Sequence, residues 1–507
     1  MDISLKHEDY KFLKTINDNS VEECVEADFS LPEYMPEILR IVKSVAEPKI
    51  NSCRLVGERV TVDGVCELRM IYTAEDGCLY SFTQTRPFTR HCESSAFENA
   101  DDVTARASVS YVNCRATSTK RAEIKAGVVI KVTAFIGENE DVVSLAEKGC
   151  IEEKSVPVRA MSLGCRKTRS FSMSDTVSLA VPSAFIISTR AAACCTDIKK
   201  ISNKIMVKGD AIVEVCYVNA QDKSCTETIK HNLPINQILE FEGMEERFTG
   251  NVTLNVMAVD VVQRNESDGI GGTFDISLCV DASAAMWEEK ELLVISDAYA
   301  VGANVDLKRS PYSFFSALDE IRDTFIFKES FGVSGEGVGS IIDSVGEITS
   351  ADVKYENGCV SVCGTLSLSL LIKDTSGSFS SINKVLDYKY ERKADYSNAD
   401  IYSVPDVVLT AVDCGANGNS HIDVRCEIRI VATVFAKTSI DAVTDIVESD
   451  APVTRKNSAV TVYFPENEES LWSIARRYNT TVSAIATEND LEGDTTGDLK
   501  MIFIPAV

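Results

Sequence analysis

The sequence predicts a mainly β fold, three antiparallel β-sandwich-like units followed by a small βααβ module, and three observations carry that prediction. A glycine-bearing alternating phrase recurs three times at intervals of about 145 to 155 residues. Around each copy lie further period-two runs rich in Val, Ile, Thr and Tyr, the pattern of half-buried antiparallel strands. From Val460 onward the period changes to helical spacing between two short strands. A chain of 507 residues also exceeds what one hydrophobic core supports, so several domains are required.

Residues 1 to 30 are polar and acidic and read as a lead-in, followed by LPEYMPEILRIVKS, where two prolines bracket a short segment. The first unit is expected over 31–150, the second over 165–305 and the third over 316–445. Each has a phrase in which Gly follows an apolar residue and a spacer: VDGVCELRM, VKGDAIVEV and VCGTLSLSL, anchored by Gly64, Gly209 and Gly364. Apolar pairs stand at a matched offset before each glycine, Ile41-Val42, Ile186-Ile187 and Ile341-Ile342, and open another alternating run. After each glycine come a turn (EDG, NAQD or DTSG), a further strand and two more alternating runs. The glycines read as structural anchors, marking a bulge or a close approach of two backbones. Residues 446–458 are polar with one proline and read as a linker.

The tail, 459–507, starts with the strand VTVYFP. Ser470 stands where it could cap the helix LWSIARRY, whose Leu471, Ile474, Ala475 and Tyr478 form one apolar stripe. Thr481 is placed to cap a second helix, VSAIATEN, and MIFIPAV closes with a strand. So small a domain needs a shared core, expected from Leu471, Ile474, Ile485, Leu491, Ile502 and Ile504.

A formal charge of −26 disfavours nucleic acid as a partner, because phosphate binding needs clustered Lys and Arg. No run approaches the ~20 apolar residues of a membrane-spanning helix, and the start is charged, so no membrane insertion is expected and a cytoplasmic location is. The 17 cysteines are scattered through β-type runs without a CxxC pair, which reads as reduced, half-buried thiols rather than a disulfide or metal framework. GVSGEGVGS at 332–340 lacks the Lys-Ser/Thr of a phosphate loop and precedes a strand. His91 and Cys92 are adjacent on a strand and so point to opposite faces. No catalytic centre, metal site or cofactor is expected.

The tail resembles a LysM domain, through Ser470, Leu471, Trp472, Ile474, Ala475, Tyr478, Thr481, Val482, Asn489, Leu491, Ile504 and Pro505. It departs from that pattern at Glu468 and Glu469, which stand in place of Gly-Asp in the loop lining an N-acetylglucosamine groove, where a Glu side chain obstructs backbone contact with sugar. Three β units followed by one LysM module are similar to the SPOCS-domain proteins of endospore-forming Firmicutes, of the SipL type. That resemblance implies a non-enzymatic scaffold in the mother-cell cytoplasm, recruited to the forespore surface and the spore coat. It implies contact with the morphogenetic ATPase of the coat's basement layer and with other coat proteins, made through the LysM tail. The docking face is expected at Trp472, Ile474, Arg477, Glu468, Glu469 and Asn489, where an acidic rim suits a basic partner. Peptidoglycan or cortex binding through the LysM domain is the alternative.

Overall fold

A computed structural model describes residues 4–147, 150–223, 225–265, 272–333, 337–397, 399–449 and 460–505, with the side chains of 16–19, 145–147 and 265 left aside. The first unit contains β1 (Ser4–Ser30), β2 (Arg40–Val56), β3 (Arg59–Thr73), β4 (Leu79–Glu93), β5 (Asp102–Ser118) and β6 (Arg121–Glu147). They form two antiparallel three-stranded sheets, β2-β3-β4 and β1-β6-β5. Alternate residues of β3 (Val60, Val62, Leu68) and β6 (Ile124, Val128, Ile130) meet in a core between the sheets, the result that period two dictates when each sheet buries one face.

The second unit repeats this with β7 (Ile151–Leu179), β8 (Ser183–Ile201), β9 (Lys204–Asn219), β10 (Thr226–Glu240), β11 (Thr249–Asn265) and β12 (Gly272–Ala300), in sheets β8-β9-β10 and β7-β12-β11. The third contains β13 (Val305–Gly332), β14 (Ser340–Glu356), β15 (Cys359–Lys373) and β16 (Phe379–Lys393), then β17 (Asp400–Ser403), β18 (Asp406–Asn417) and β19 (His421–Glu448). Here β17 and β18 share the place of one strand beside β19. Asn357 and Gly358 close the β14–β15 hairpin with φ of +52° and +74°, the left-handed pair that matches the strand twist.

The repeat glycines lie where the backbone of the preceding strand presses in. Gly64, Gly209 and Gly364 pair with Ile50, Cys195 and Ala351, each beside a bulge. A Cβ added to them would collide with the carbonyl oxygens of Lys49, Cys194 and Ser350 respectively.

The polar lead-in expected at 1–30 is instead β1, paired with β6 from Ser4 to Ser30. Likewise β7 and β13 begin each later unit upstream of the expected 165 and 316. These long strands each cross two register shifts, near Lys6 and Ile16 in β1, Ile295 and Met286 opposite β7, and Lys308 and Ala317 in β13. Each bulge flips which parity of residue faces inward, which erases a simple alternation. Of the expected linker 446–458, residues 446–448 finish β19 and 450–459 lie outside the described residues. After GVSGEGVGS the chain enters β14 as a strand, residues 334–336 of that phrase lying outside the described residues.

The three units close on one another around equivalent positions. Val42, Ile187 and Leu371 pack together with Ile342 against them, so the matched apolar pairs of the sequence meet in space. The residues one step on, Lys43, Ser188 and Asp343, are bonded: Lys43 Nζ lies 3.1 Å from Asp343 Oδ2 and the Ser188 hydroxyl donates to Asp343 Oδ1 at 2.7 Å. The far ends of the long hairpins also converge, bringing Val143, Ile295 and Val443 into one cluster and Tyr10, Leu292 and Phe314 into another. Arg69 donates to the Ile187 carbonyl, and Arg190 to those of Leu409 and Thr410, across successive seams.

Candidate functional site: the C-terminal module and its seat

The module contains β20 (Val460–Tyr463), α1 (Leu471–Tyr478), α2 (Val482–Glu488) and β21 (Ile502–Pro505), with β20 and β21 antiparallel. Leu471, Ile474, Ile485, Ile502 and Ile504 form its core, with Leu491 packed at the margin. Thr481 caps α2 by accepting from the Ala484 amide at 3.0 Å. Ser470 occupies the N-cap of α1 without a side-chain cap bond and instead bridges to Thr495. Tyr299, from the end of β12, completes this core from outside the module.

The structure places the six expected docking residues in and around the helices, with only Ile474 withdrawn from the surface altogether. Ile474 is fully buried. Trp472 stacks edge-on against Tyr299 with ring centroids 4.9 Å apart, and its Nε1 donates to Asp297 Oδ2 at 2.9 Å. Arg476 reaches the same Oδ2 at 2.7 Å while Arg309 takes Oδ1 at 2.7 Å, so Asp297 holds β13 and the module together. Around this contact the Tyr299 hydroxyl donates to the Thr480 carbonyl at 2.8 Å and the Gly302 amide to Asn479 Oδ1 at 3.0 Å. Burial at this seat pushes the Tyr299 phenol up from its ordinary pKa. Trp472 therefore seats the module on the second unit.

The other four expected residues lie at the helix ends and in the adjoining loops. Arg477 donates to the Tyr463 hydroxyl at 2.8 Å and to Glu469 Oε1 at 3.2 Å, and Glu469 in turn accepts from Tyr463 and from the Glu466 amide. Asn489 staples α2 to β21 through the Ile485 carbonyl and both backbone groups of Phe503. Glu468 sits at φ +57°, the left-handed conformation that a Gly adopts without cost. Its amide donates to Gly497 and its carboxylate accepts from Thr495 at 2.5 Å. With Leu471 N to Asp494 O and Thr496 N to Glu469 O added, backbone groups of the two facing loops are paired to each other.

Another surface is left open. The outward face of the β20–β21 sheet carries Val460, Val462 and Phe464 (71 % exposed) beside Met501, Phe503 and the neighbouring Leu499. Val462 stands directly opposite Phe503 in the ladder. Glu466 and the exposed Asp498 stand close in sequence to Phe464 and Leu499, and the module holds eight carboxylates against Arg476, Arg477 and Lys500, two of which are already bonded to carboxylates. The sequence carried a signal for this face: VTVYF is apolar at Val460, Val462 and Phe464 on one side and at Tyr463 on the other, more than a two-stranded sheet can bury on a single core.

No reactive centre is assembled elsewhere among the described residues. His91 is exposed while Cys92 is buried on the opposite face of β4. No disulfide joins the cysteines among the described residues, and burial pushes Cys66 and Cys216 up to about 12, which suppresses the thiolate. No group of three or more His, Cys, Asp or Glu is placed to hold a metal ion among the described residues, and no helix there is long and apolar enough to cross a membrane.

Comparison with known families gives two matches. The model described as SipL, SPOCS domain, matches residues 37–117 and 185–263, and the LysM domain model matches 466–500. No curated protein matches the chain. The matched SPOCS segments cover β2 to β5 and their counterparts β8 to β11, and the third unit repeats their topology around Gly364. The chain thus carries SPOCS domains of the SipL family and, at its C-terminal end, a LysM domain, the make-up of a SipL-type protein.

Proposed function

We propose that the protein is a non-enzymatic scaffold of endospore coat assembly, working in the mother-cell cytoplasm and at the forespore surface. SPOCS and LysM are non-catalytic domain families, which supports a sporulation-related binding protein. The partner proposed is the coat's basement-layer morphogenetic ATPase, with other coat proteins beyond it.

The observation that carries this reading is the open apolar face at Val462, Phe464 and Phe503, in a module whose carboxylates, Glu466 and Asp498 among them, outnumber its cations. Such a face suits a protein segment with apolar residues flanked by Lys or Arg, because apolar contact supplies affinity and opposite charge supplies orientation. The seat at Asp297 turns Trp472 inward and leaves this sheet outward. The test is a pull-down of the full chain from sporulating cells, with Val462→Glu/Phe464→Glu alongside. The ATPase should be retained by the parent chain and lost by the double variant. Retention by both would place docking elsewhere.

Peptidoglycan binding is the second reading, favoured by the LysM match itself. Titration of the full chain with N-acetylglucosamine oligomers decides it: saturable binding tighter than millimolar supports a cortex or peptidoglycan ligand, and weaker binding removes it.

A further inference from the structure

A cavity of about 240 Å³ lies where all three units meet. Its wall contains Phe135, Trp287 and Phe435. These occupy one and the same position in the three repeats, each beside the second bulge of its long hairpin. Trp287 and Phe435 contact edge to face at 5.4 Å, and Phe12, Phe315 and Met161 extend the apolar wall. Arg106, Thr253 and Asp406 also line it. They too are register equivalents, each three residues before the bulge at Val109, Val256 and Leu409.

The order cation, hydroxyl, carboxylate is that of Lys43, Ser188 and Asp343, but the two sets behave differently. Lys43 and Ser188 both donate directly to Asp343. Arg106, exposed at the rim, and the half-buried Asp406 feel each other's charge, and Asp406 also feels Arg429, but neither side chain makes a direct hydrogen bond or ion pair among the described residues. Other charged groups of the wall are occupied, Arg166 with Asp102 at 3.4 Å and Asp281 with the Ser170 hydroxyl at 2.5 Å. A carboxyl and a guanidinium that both line one cavity without bonding directly leave room for a ligand that engages both.

We propose that this cavity binds a small zwitterion with an apolar body, an apolar L-α-amino acid, its carboxylate on Arg106, its ammonium on Asp406 and its side chain among Phe135, Trp287 and Phe435. Guanidinium and carboxylate pair with favourable fork geometry, and an ammonium gains further from nearby aromatic faces. The volume is adequate, since about 150 Å³ already admits benzene. The site rests on the three-unit junction and is independent of the docking face of the module.

The test measures the melting temperature of the full chain, and its binding heat, with L-phenylalanine, phenethylamine, 3-phenylpropionate and N-acetyl-L-phenylalaninamide. L-Phenylalanine should raise the melting temperature and bind at least tenfold more tightly than each analogue lacking one charge. Asp406→Asn should abolish the preference for L-phenylalanine over 3-phenylpropionate, and Arg106→Gln that over phenethylamine. Equal binding of the uncharged amide, equal to L-phenylalanine, would assign the site to an internal peptide residue and overturn the zwitterion. No shift with any of the four would make the cavity a hydrated seam and overturn the proposal. Trp287→Phe, which copies Phe135 and Phe435, checks the apolar wall without emptying it and should keep the preference.

Discussion

Lys43 Nζ and Asp343 Oδ2 stand 3.1 Å apart with both side chains under 10 % exposed, although 300 residues separate them in the chain. A buried ion pair contributes little net stability over an apolar replacement, yet removing one partner is costly. Asp343→Ala should therefore lower unfolding stability by about 3 to 5 kcal/mol, by leaving an ammonium and the Ser188 hydroxyl unsatisfied. The double variant Lys43→Met/Asp343→Leu should recover most of that loss. Urea denaturation of the two variants checks the pair, and equal losses in both would show that the charges do not interact.

The glycine anchors can be tested against a glycine in open space. Gly64→Ala, Gly209→Ala or Gly364→Ala puts a methyl into a facing carbonyl and should cost about 3 kcal/mol through forced backbone shifts. Gly57 has φ +60° with nothing within 4 Å of an added Cβ, so Gly57→Ala should cost only about 1 kcal/mol. Thermal unfolding of the four variants gives the ranking.

The seat of the module should open when its acceptor is removed. Asp297→Ala leaves Trp472, Arg476 and Arg309 without their shared carboxylate, an interface loss of about 2 to 4 kcal/mol. Leu471, Ile474, Ala475 and Ile485 stay buried within the module, so its helices should persist. In a Trp287→Phe background the emission then belongs to Trp472, the other of the chain's two tryptophans, and should shift to the red. Unchanged emission would mean that the seat does not depend on Asp297.

Asp406 gives a pH dependence of definite sign. Burial raises its carboxyl from 3.8 to about 6, against the opposing pull of Arg106 and Arg429. The folded chain holds this proton more firmly than the unfolded chain, so ionisation of Asp406 subtracts stability as pH rises from about 4 to about 6. Asp406→Asn should thus be neutral at pH 4 and stabilising by about 1 kcal/mol at pH 7, read from chemical denaturation at the two pH values. A stabilisation larger at pH 4 would reverse the assignment.

Much of this architecture was legible in residues. The offset from the apolar pairs to Gly64, Gly209 and Gly364 identified the repeat, because a glycine forced by a neighbouring carbonyl leaves a fixed mark in every copy. The module core was legible for a similar reason: Leu471, Ile474 and Ile485 follow helical spacing, and so small a domain has few other residues to bury. The long strands β1, β7 and β13 were hidden by their bulges. The role of Trp472 was hidden because its acceptor Asp297 lies 175 residues upstream, and periodicity reports only neighbours on one element. Charged residues such as Arg106 and Asp406 looked like ordinary surface until register placed them in equivalent positions of different units.

The junction at Val42, Ile187 and Leu371 has a consequence for how the chain comes into being. Its first third is made long before Leu371 and Asp343 leave the ribosome, so the apolar edge at Val42 and Ile71 gains Ile187 and Val218 from the second unit but is completed only with Leu371 of the third. Contacts of such sequence separation make closure slow and expose the partly built chain to association with its neighbours. Completion of the third unit is therefore the step that closes this apolar cluster.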